Sequence, residues 1–137
     1  ASHYVHAGMI GLDGEKMSKS KGNLVFVSQL LRDGVDAMVI RTALLRHHYR
    51  VDHMWHKSEI DEATTFLDEL RLCLSRPDVA PTDRVIQAVI SALSEDLDTP
   101  AALSALQNWI TATNQGETSG DAGELSRAID ALLGIAI

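Results

Sequence analysis

Apolar residues in the second half of the chain recur at the spacing of amphipathic helices. From residue 58 onward they alternate at intervals of three and four positions, and four helices are predicted from that spacing. Each helix has a start or stop signal: the capping-box pair Ser58 and Asp61, Pro77, Thr82, Thr99 before Pro100, and Gly134. The connections are short, so the pattern predicts an antiparallel helical bundle over residues 58–137.

The first 57 residues follow a different pattern. Tyr4–Leu12 is short, mostly apolar and interrupted by glycine, which favours a buried strand over a helix. Asp13-Gly14 predicts a turn, and a lysine-rich loop follows it. Two helices are then expected, a brief one capped by Ser28 and a longer one capped by Asp36. The sequence therefore predicts a mainly α protein with one strand and an exposed loop before the bundle.

Charge divides the chain at the same place. The net charge is −7, but residues 1–57 hold eight Lys/Arg against five Asp/Glu, a net +3, together with all six histidines. Residues 58–137 hold four Lys/Arg against fourteen Asp/Glu, a net −10. We therefore expect anionic ligands to be attracted to the first part and polyanions to be repelled by the second.

The single cysteine and the absence of a long apolar run bear on the cellular location of the protein. Cys73 cannot form an internal disulfide, and we interpret it as a small buried hydrophobic residue within a helix. No run of 18 apolar residues and no signal sequence occur, so we expect no membrane span. A reducing, cytoplasmic location is the expectation.

The lysine-rich loop is the best candidate for chemistry. Lys16 and Lys19 are three residues apart, and Ser18 and Ser20 alternate with the basic residues. Ammonium groups, hydroxyls and the amides of a glycine-bounded turn are suited to binding a phosphate. A solvated basic turn is the alternative for an arbitrary sequence of this kind.

The string is not arbitrary, because "KMSKS", Lys16 to Ser20, is identical to the second signature of the class I aminoacyl-tRNA synthetases. The resemblance implies that this loop closes on the ATP phosphates, with Lys19 as the main catalytic residue and Lys16 assisting it. It also implies that Met17, Ser18 and Ser20 lie at the nucleotide.

The resemblance extends to the strand and to the fold. The strand before the loop usually reads adenine through backbone groups, which would place Met9 and Ile10 at the base. Residues 1–57 would then be the C-terminal end of a class I Rossmann-type catalytic domain, carrying a strand, the KMSKS loop and connecting helices. Residues 58–137 would be the acidic helical bundle.

Three longer matches resemble the cysteine-specific branch of this family. They are "HAGMIGLDGEKMSKSKGN" around the loop, "LLRHHYR" at residues 44–50 and "DLDTPAAL" at residues 96–103. Two members of that branch fit: cysteinyl-tRNA synthetase, and the tRNA-independent ligase of the mycothiol pathway. The latter activates cysteine with ATP and joins it to the amine of glucosaminyl-inositol.

Charge favours the ligase. A bundle that guides tRNA should carry a basic stripe, whereas this one carries −10. The chain ends at Ile137, which leaves no room for the anticodon module expected of the synthetase, and Leu97 and Asp98 depart from its usual Phe and Asn. A cysteinyl-tRNA synthetase fragment is the alternative. A non-catalytic helical docking module is a third hypothesis.

The resemblance implies the following ligands and partners. ATP with Mg²⁺, L-cysteine and glucosaminyl-inositol would be the small-molecule substrates, and nucleic acid and membranes would not be partners. Zn²⁺ is expected in the full-length enzyme, with ligands in an upstream catalytic domain and none in this chain. The chain by itself is expected to be inactive, and the protein monomeric.

The histidines and tryptophans receive structural interpretations. His47, His48, His53 and His56 lack accompanying cysteines, so we expect packing and hydrogen bonding rather than metal binding. His48 to Arg50 would brace the first part of the chain against the bundle. Trp55 is expected on a loop as an interdomain contact, and Trp109 in the bundle core.

Overall fold

The computed structural model describes residues 2–137 and contains six α-helices and three short strands within that range. The helices are α1 Val27–Arg32, α2 Ala37–Leu45, α3 Ser58–Leu74, α4 Asp83–Ser94, α5 Thr99–Asn114 and α6 Ala122–Leu133. The strands are β1 Ile10–Leu12, β2 Glu15–Lys16 and β3 His53–Trp55, and a single 3₁₀ turn covers Lys19–Lys21. The prediction of a mainly α chain is confirmed.

The small sheet has the order β2-β1-β3. β1 and β2 form an antiparallel hairpin whose two turn residues, Asp13 and Gly14, have φ values of 52° and 81°. Two consecutive positive φ angles define the turn type that matches the twist of a hairpin, and Asp-Gly is a favoured sequence for it. The predicted turn is confirmed, and it sends the chain directly into the lysine-rich loop.

The strand predictions need two corrections. The expected buried strand over Tyr4–Leu12 is wrong for its first half: only Ile10–Leu12 forms a strand, and Tyr4 and Val5 are both 77% exposed. Trp55, expected on a loop, lies in β3, which pairs in parallel with β1 across 43 residues of chain. Apolar spacing does not reveal pairing over such a separation, because it depends on a distant partner.

Helices α3 to α6 enclose most of the hydrophobic core. α3 contacts α2, α5 and α6, while α4 packs against α5 and α6. The fully buried side chains include Leu67, Leu70, Leu106, Ile110, Leu125 and Ile129. Trp109 is buried as predicted, and its indole N–H donates to the carbonyl of Ala80 at 2.9 Å.

The same core continues beyond the bundle. Val39 and Ala43 of α2 and Trp55 of β3 belong to the buried cluster formed by the later helices. The change of charge at residue 58 is therefore not a break in hydrophobic packing. The sheet and its loop are attached to the bundle through shared buried side chains, which fixes where the loop starts.

Helix caps were predicted with mixed success. Asp36 caps α2 as expected, accepting a hydrogen bond from the Met38 amide at 2.8 Å. Asp98, not Thr99, caps α5 through the Ala101 amide at 2.9 Å. Ser58 makes no side-chain cap for α3, because it is the first helical residue and Lys57 occupies the cap position. α1 begins at Val27, one residue before the predicted cap Ser28.

Cys73 behaves as the sequence suggests. It is 1% exposed and lies on α3 in the core, and burial raises the pKa of its thiol. A protonated, inaccessible thiol is a poor nucleophile.

Within residues 2–137, no helix is long and apolar enough to cross a membrane.

Candidate functional site

The lysine-rich loop is closed at its base by Asn23. The Asn23 side-chain oxygen accepts from the Ser18 amide at 2.9 Å, and its amide group donates to the Lys16 carbonyl at 3.3 Å. These two bonds join the end of β2 to the far end of the loop. Gly22, with φ 67°, allows the chain to reverse after the 3₁₀ turn. The loop therefore has a defined base and an exposed top.

Lys16 and Lys19 lie on the exposed part of this loop. Within residues 2–137 neither ammonium group has an ion-pair or hydrogen-bond partner, whereas Lys21 forms an ion pair with Glu15 at 2.7 Å. The chain thus neutralises one lysine of the loop and leaves the two signature lysines uncompensated. Uncompensated ammonium groups on a loop with serine hydroxyls are available to a polyphosphate.

The two serines and the methionine of the signature have different environments. The Ser18 and Ser20 hydroxyls are 3.3 Å apart, so they point to the same part of the loop. Met17 is half-buried and packs against the core, which anchors the loop beside β2. The structure thus brings the hydroxyls together at the exposed top, while Met17 faces the protein.

The strand that would face adenine is tied to the segment before β3. The Met9 amide donates to the Asp52 carboxylate at 2.6 Å, and the Met9 carbonyl accepts from the His53 amide at 3.0 Å. The side chain of Met9 is 45% exposed, while Ile10 is partly buried in β1. The base-reading role of Met9 and Ile10 stays a prediction, and the supporting residues Asp52 and His53 were not found from the sequence.

Close backbone packing at Gly8 gives a testable prediction. The Gly8 amide donates to the Tyr49 carbonyl at 2.7 Å, and a Cβ added at Gly8 would collide with the backbone of Val51 and Asp52. Because these atoms are backbone, relief requires a shift of the whole segment. We expect Gly8→Ala to lower the free energy of unfolding by about 1–3 kcal/mol in urea unfolding.

Gly123→Ala is the matched control for that variant. Gly123 lies in α6, and an added Cβ would meet only the side-chain ends of Asp121 and Arg127. Alanine is favoured over glycine in a helix by about 1 kcal/mol, so this change should be neutral or stabilising. Equal loss of stability in both variants would show that Gly8 is not a close-packing position.

The motifs LLRHHYR and DLDTPAAL contact each other in the structure. The Tyr49 hydroxyl donates to Asp96 at 2.8 Å, and the Arg50 guanidinium pairs with the same carboxylate at 3.2 Å. His48 lies 3.8 Å from it. Asp96 has φ 54° in the connection between α4 and α5. The contact predicted between residues 48–50 and the bundle is confirmed, with Asp96 as the bundle's contact residue.

Three of the remaining polar groups, those of His47, His53 and Glu59, form a cluster where α2, β3 and α3 meet. The rings of His47 and His53 stack at 3.8 Å, and His47 Nε2 lies 3.2 Å from the buried Glu59 carboxylate. Burial, with a smaller contribution from His47, lowers the pKa of His53. Arg46 pairs with Glu62 at 2.6 Å beside them. The stacking of His47 on His53 and the hydrogen bonds of His47 and His48 agree with the expected packing and hydrogen bonding, but the convergence on Glu59 was not foreseen.

Comparison with protein families identifies the class of protein that the first part of the chain resembles. Residues 1–65 match the family described as the tRNA synthetases class I (C) catalytic domain. This range contains the sheet, the KMSKS loop, α1, α2 and the start of α3. The predicted likeness to class I synthetases is confirmed for this part of the chain.

The whole chain is also similar to particular cysteine ligases. It is 52% identical over 139 residues to the L-cysteine:1D-myo-inositol 2-amino-2-deoxy-alpha-D-glucopyranoside ligase of Streptomyces coelicolor, and covers 34% of that protein. The ligases of the same name from Catenulispora acidiphila and Mycolicibacterium vanbaalenii are 46% and 50% identical, with all of this chain matched in each case. The predicted resemblance is confirmed, and this chain spans about a third of the length of these relatives.

A solved structure has a similar fold. The LeuRS of Agrobacterium radiobacter, in a ternary complex with tRNA and LeuAMS, superimposes with a TM-score of 0.74. The match covers 93% of this chain and 21% of that one, at 19% sequence identity. At this identity the likeness shows the fold alone: the chain folds like part of a class I synthetase.

Proposed function

We propose that this chain is the part of an ATP-dependent cysteine ligase that carries the KMSKS loop and the adjoining acidic helical bundle. The observation that carries the proposal is the pair of uncompensated lysines, Lys16 and Lys19, on a loop whose base is closed by Asn23. Similarity to cysteine ligases along the whole chain supports the same reaction class.

The proposed first step activates cysteine. Its carboxylate oxygen forms a bond to the α-phosphorus of ATP while the bond from that phosphorus to the bridging oxygen breaks, giving cysteinyl-adenylate and pyrophosphate. Negative charge accumulates on the departing phosphates. Lys19, assisted by Lys16, holds those phosphates electrostatically, and the hydroxyls of Ser18 and Ser20 donate hydrogen bonds there.

The proposed second step transfers the cysteinyl group. The amine nitrogen of glucosaminyl-inositol bonds to the activated carbonyl carbon, the carbon–oxygen bond to phosphate breaks, and AMP leaves as the amine loses a proton. The groups for this step would be supplied by the upstream catalytic domain. Mg²⁺ would accompany ATP, and the Zn²⁺ that binds the cysteine thiolate would be held by residues outside this chain. We further propose a cytoplasmic, monomeric enzyme.

The charge of the bundle supports the sugar amine over tRNA as acceptor. Residues 58–137 carry a net −10, and the carboxylates Asp61, Asp68 and Asp83 lie at exposed positions on the helices. A polyanion gains most of its affinity from neutralising phosphates, and this surface offers little for that purpose. Cysteinyl-tRNA synthetase stays the second candidate, because residues 1–65 match a tRNA synthetase catalytic domain.

Supplying each acceptor separately distinguishes the two enzymes. The intact protein is incubated with ATP, Mg²⁺ and radiolabelled cysteine, together with either glucosaminyl-inositol or tRNA. We expect cysteine to be consumed with release of AMP only when the amino sugar is present. Transfer to tRNA alone would instead establish the synthetase, and transfer to neither would favour the non-catalytic docking module.

A further inference from the structure

Three possible metal ligands from three different elements converge beside the bundle. His47 follows the end of α2, His53 begins β3, and Glu59 lies in the first turn of α3. One ligand atom from each residue lies within 4.8 Å of the other two. Two imidazoles and one carboxylate are a donor set that suits zinc and other divalent first-row transition metals.

His53 supplies the observation that points to a ligand. Its Nε2 atom is buried and has no hydrogen-bond partner among the described residues. A neutral imidazole carries a lone pair on one of its two ring nitrogens, so this Nε2 can serve as a metal ligand. Buried polar atoms are nearly always satisfied, so an unsatisfied Nε2 beside His47 and Glu59 indicates a missing partner, and a metal ion is one that this donor set suits.

The Glu59 carboxylate is held in place by two contacts of its own. One carboxylate oxygen accepts from the His56 amide at 3.1 Å, and the second lies 3.2 Å from His47 Nε2. The side chain is 8% exposed, so its orientation is fixed by packing as well as by hydrogen bonding. Outer contacts of this kind are what orient ligands in protein metal sites.

Binding of one metal ion by both histidines requires one of the two rings to move. The rings of His47 and His53 are stacked at 3.8 Å with an interplanar angle of 10°, so their in-plane lone pairs run side by side. Both can reach one ion only if His47 turns out of the stack. A cavity of about 450 Å³, lined in part by His47 and Glu59 but not by His53, lies beside the stack and gives the His47 ring space to turn.

We propose that His47, His53 and Glu59 form a binding site for a divalent transition-metal ion of the zinc type, with water completing its coordination. Bound there, the ion links the end of α2, the start of β3 and the start of α3. Its role is structural: it fastens the strand that supports Met9 to the first helix of the bundle. The proposal is independent of the proposed ligase activity.

The test is a comparison of metal content between variants of the intact protein. After removal of metal by a chelator, Co²⁺ is added and its visible absorption is followed to saturation. We expect the unmodified protein to bind one equivalent more than either His53→Leu or Glu59→Gln. The midpoint of thermal unfolding should rise with added metal only where the site is intact, because a ligand specific for the folded state stabilises it.

His56→Gln is the matched control, because the His56 side chain is exposed and is not one of the three ligands. It should keep the extra equivalent. Circular dichroism of the metal-free variants checks that His53→Leu and Glu59→Gln fold, and Glu59→Gln retains an acceptor for the His56 amide. Metal sites elsewhere in the intact protein contribute the same amount of bound metal to all four proteins. Equal binding by all four proteins would overturn the proposal.

Discussion

Replacing both Lys16 and Lys19 by alanine is expected to abolish most adenylate formation by the intact protein. Each ammonium group would stabilise charge that appears only as pyrophosphate departs, so its loss affects the transition state more than ATP binding. Removing one such donor typically costs about 10²–10³-fold in rate, so the double variant should lose at least a hundredfold. Cysteine-dependent exchange of labelled pyrophosphate into ATP measures this step directly.

Lys21→Ala is the control that separates a specific role from a loss of positive charge. Lys21 is on the same loop, but its ammonium group is already paired with Glu15, and the lysine side chain is 52% exposed. An exposed pair of this kind contributes about 0–1 kcal/mol, so exchange should stay within severalfold of the unmodified rate. If Lys21→Ala slowed exchange as much as the double variant, the loop would act only through its total charge.

The second large effect concerns the bundle. Leu70 of α3 is fully buried among side chains of the core, and Leu70→Ala removes one methine and two methyl groups from it. Such truncations cost about 2–5 kcal/mol through lost burial and the cavity that remains. We expect a fall of that size in the free energy of unfolding, measured by equilibrium urea denaturation of the full chain.

Leu72→Ala provides the comparison, because Leu72 lies two residues away on the same helix and is 59% exposed. Its truncation should change the free energy of unfolding by no more than about 0.5 kcal/mol. Similar losses for Leu70→Ala and Leu72→Ala would contradict the burial pattern on which the bundle rests.

Local chemistry made several features predictable from the sequence. Asp13-Gly14 specifies a turn that few other dipeptides form, and Asp36 and Gly134 mark helix ends through a side-chain acceptor and a left-handed φ of 64°. The lysine-rich loop was identified because its five-residue signature is read without knowing any contact. These features depend on neighbours within a few residues.

Features that depend on distant partners were not predictable. β3 forms because it pairs with β1, and Asp52 reaches Met9 across the same separation. Asn23 closes the loop only once the hairpin has placed the Lys16 carbonyl near it. Caps shifted by a residue where two candidates compete, as with Asp98 and Thr99. Apolar spacing predicted the helices. The residues that hold β1 and the lysine-rich loop in place are brought there by tertiary contacts, which the spacing does not reveal.

The central claim is that Lys16 and Lys19 act on the phosphates of ATP during activation of cysteine. The most direct measurement is pyrophosphate exchange by the intact protein with cysteine as the amino acid, in the absence of tRNA and of amino sugar. We predict exchange that requires cysteine and that falls at least about a hundredfold in the Lys16→Ala, Lys19→Ala double variant. Exchange at the original rate in that variant would contradict the account.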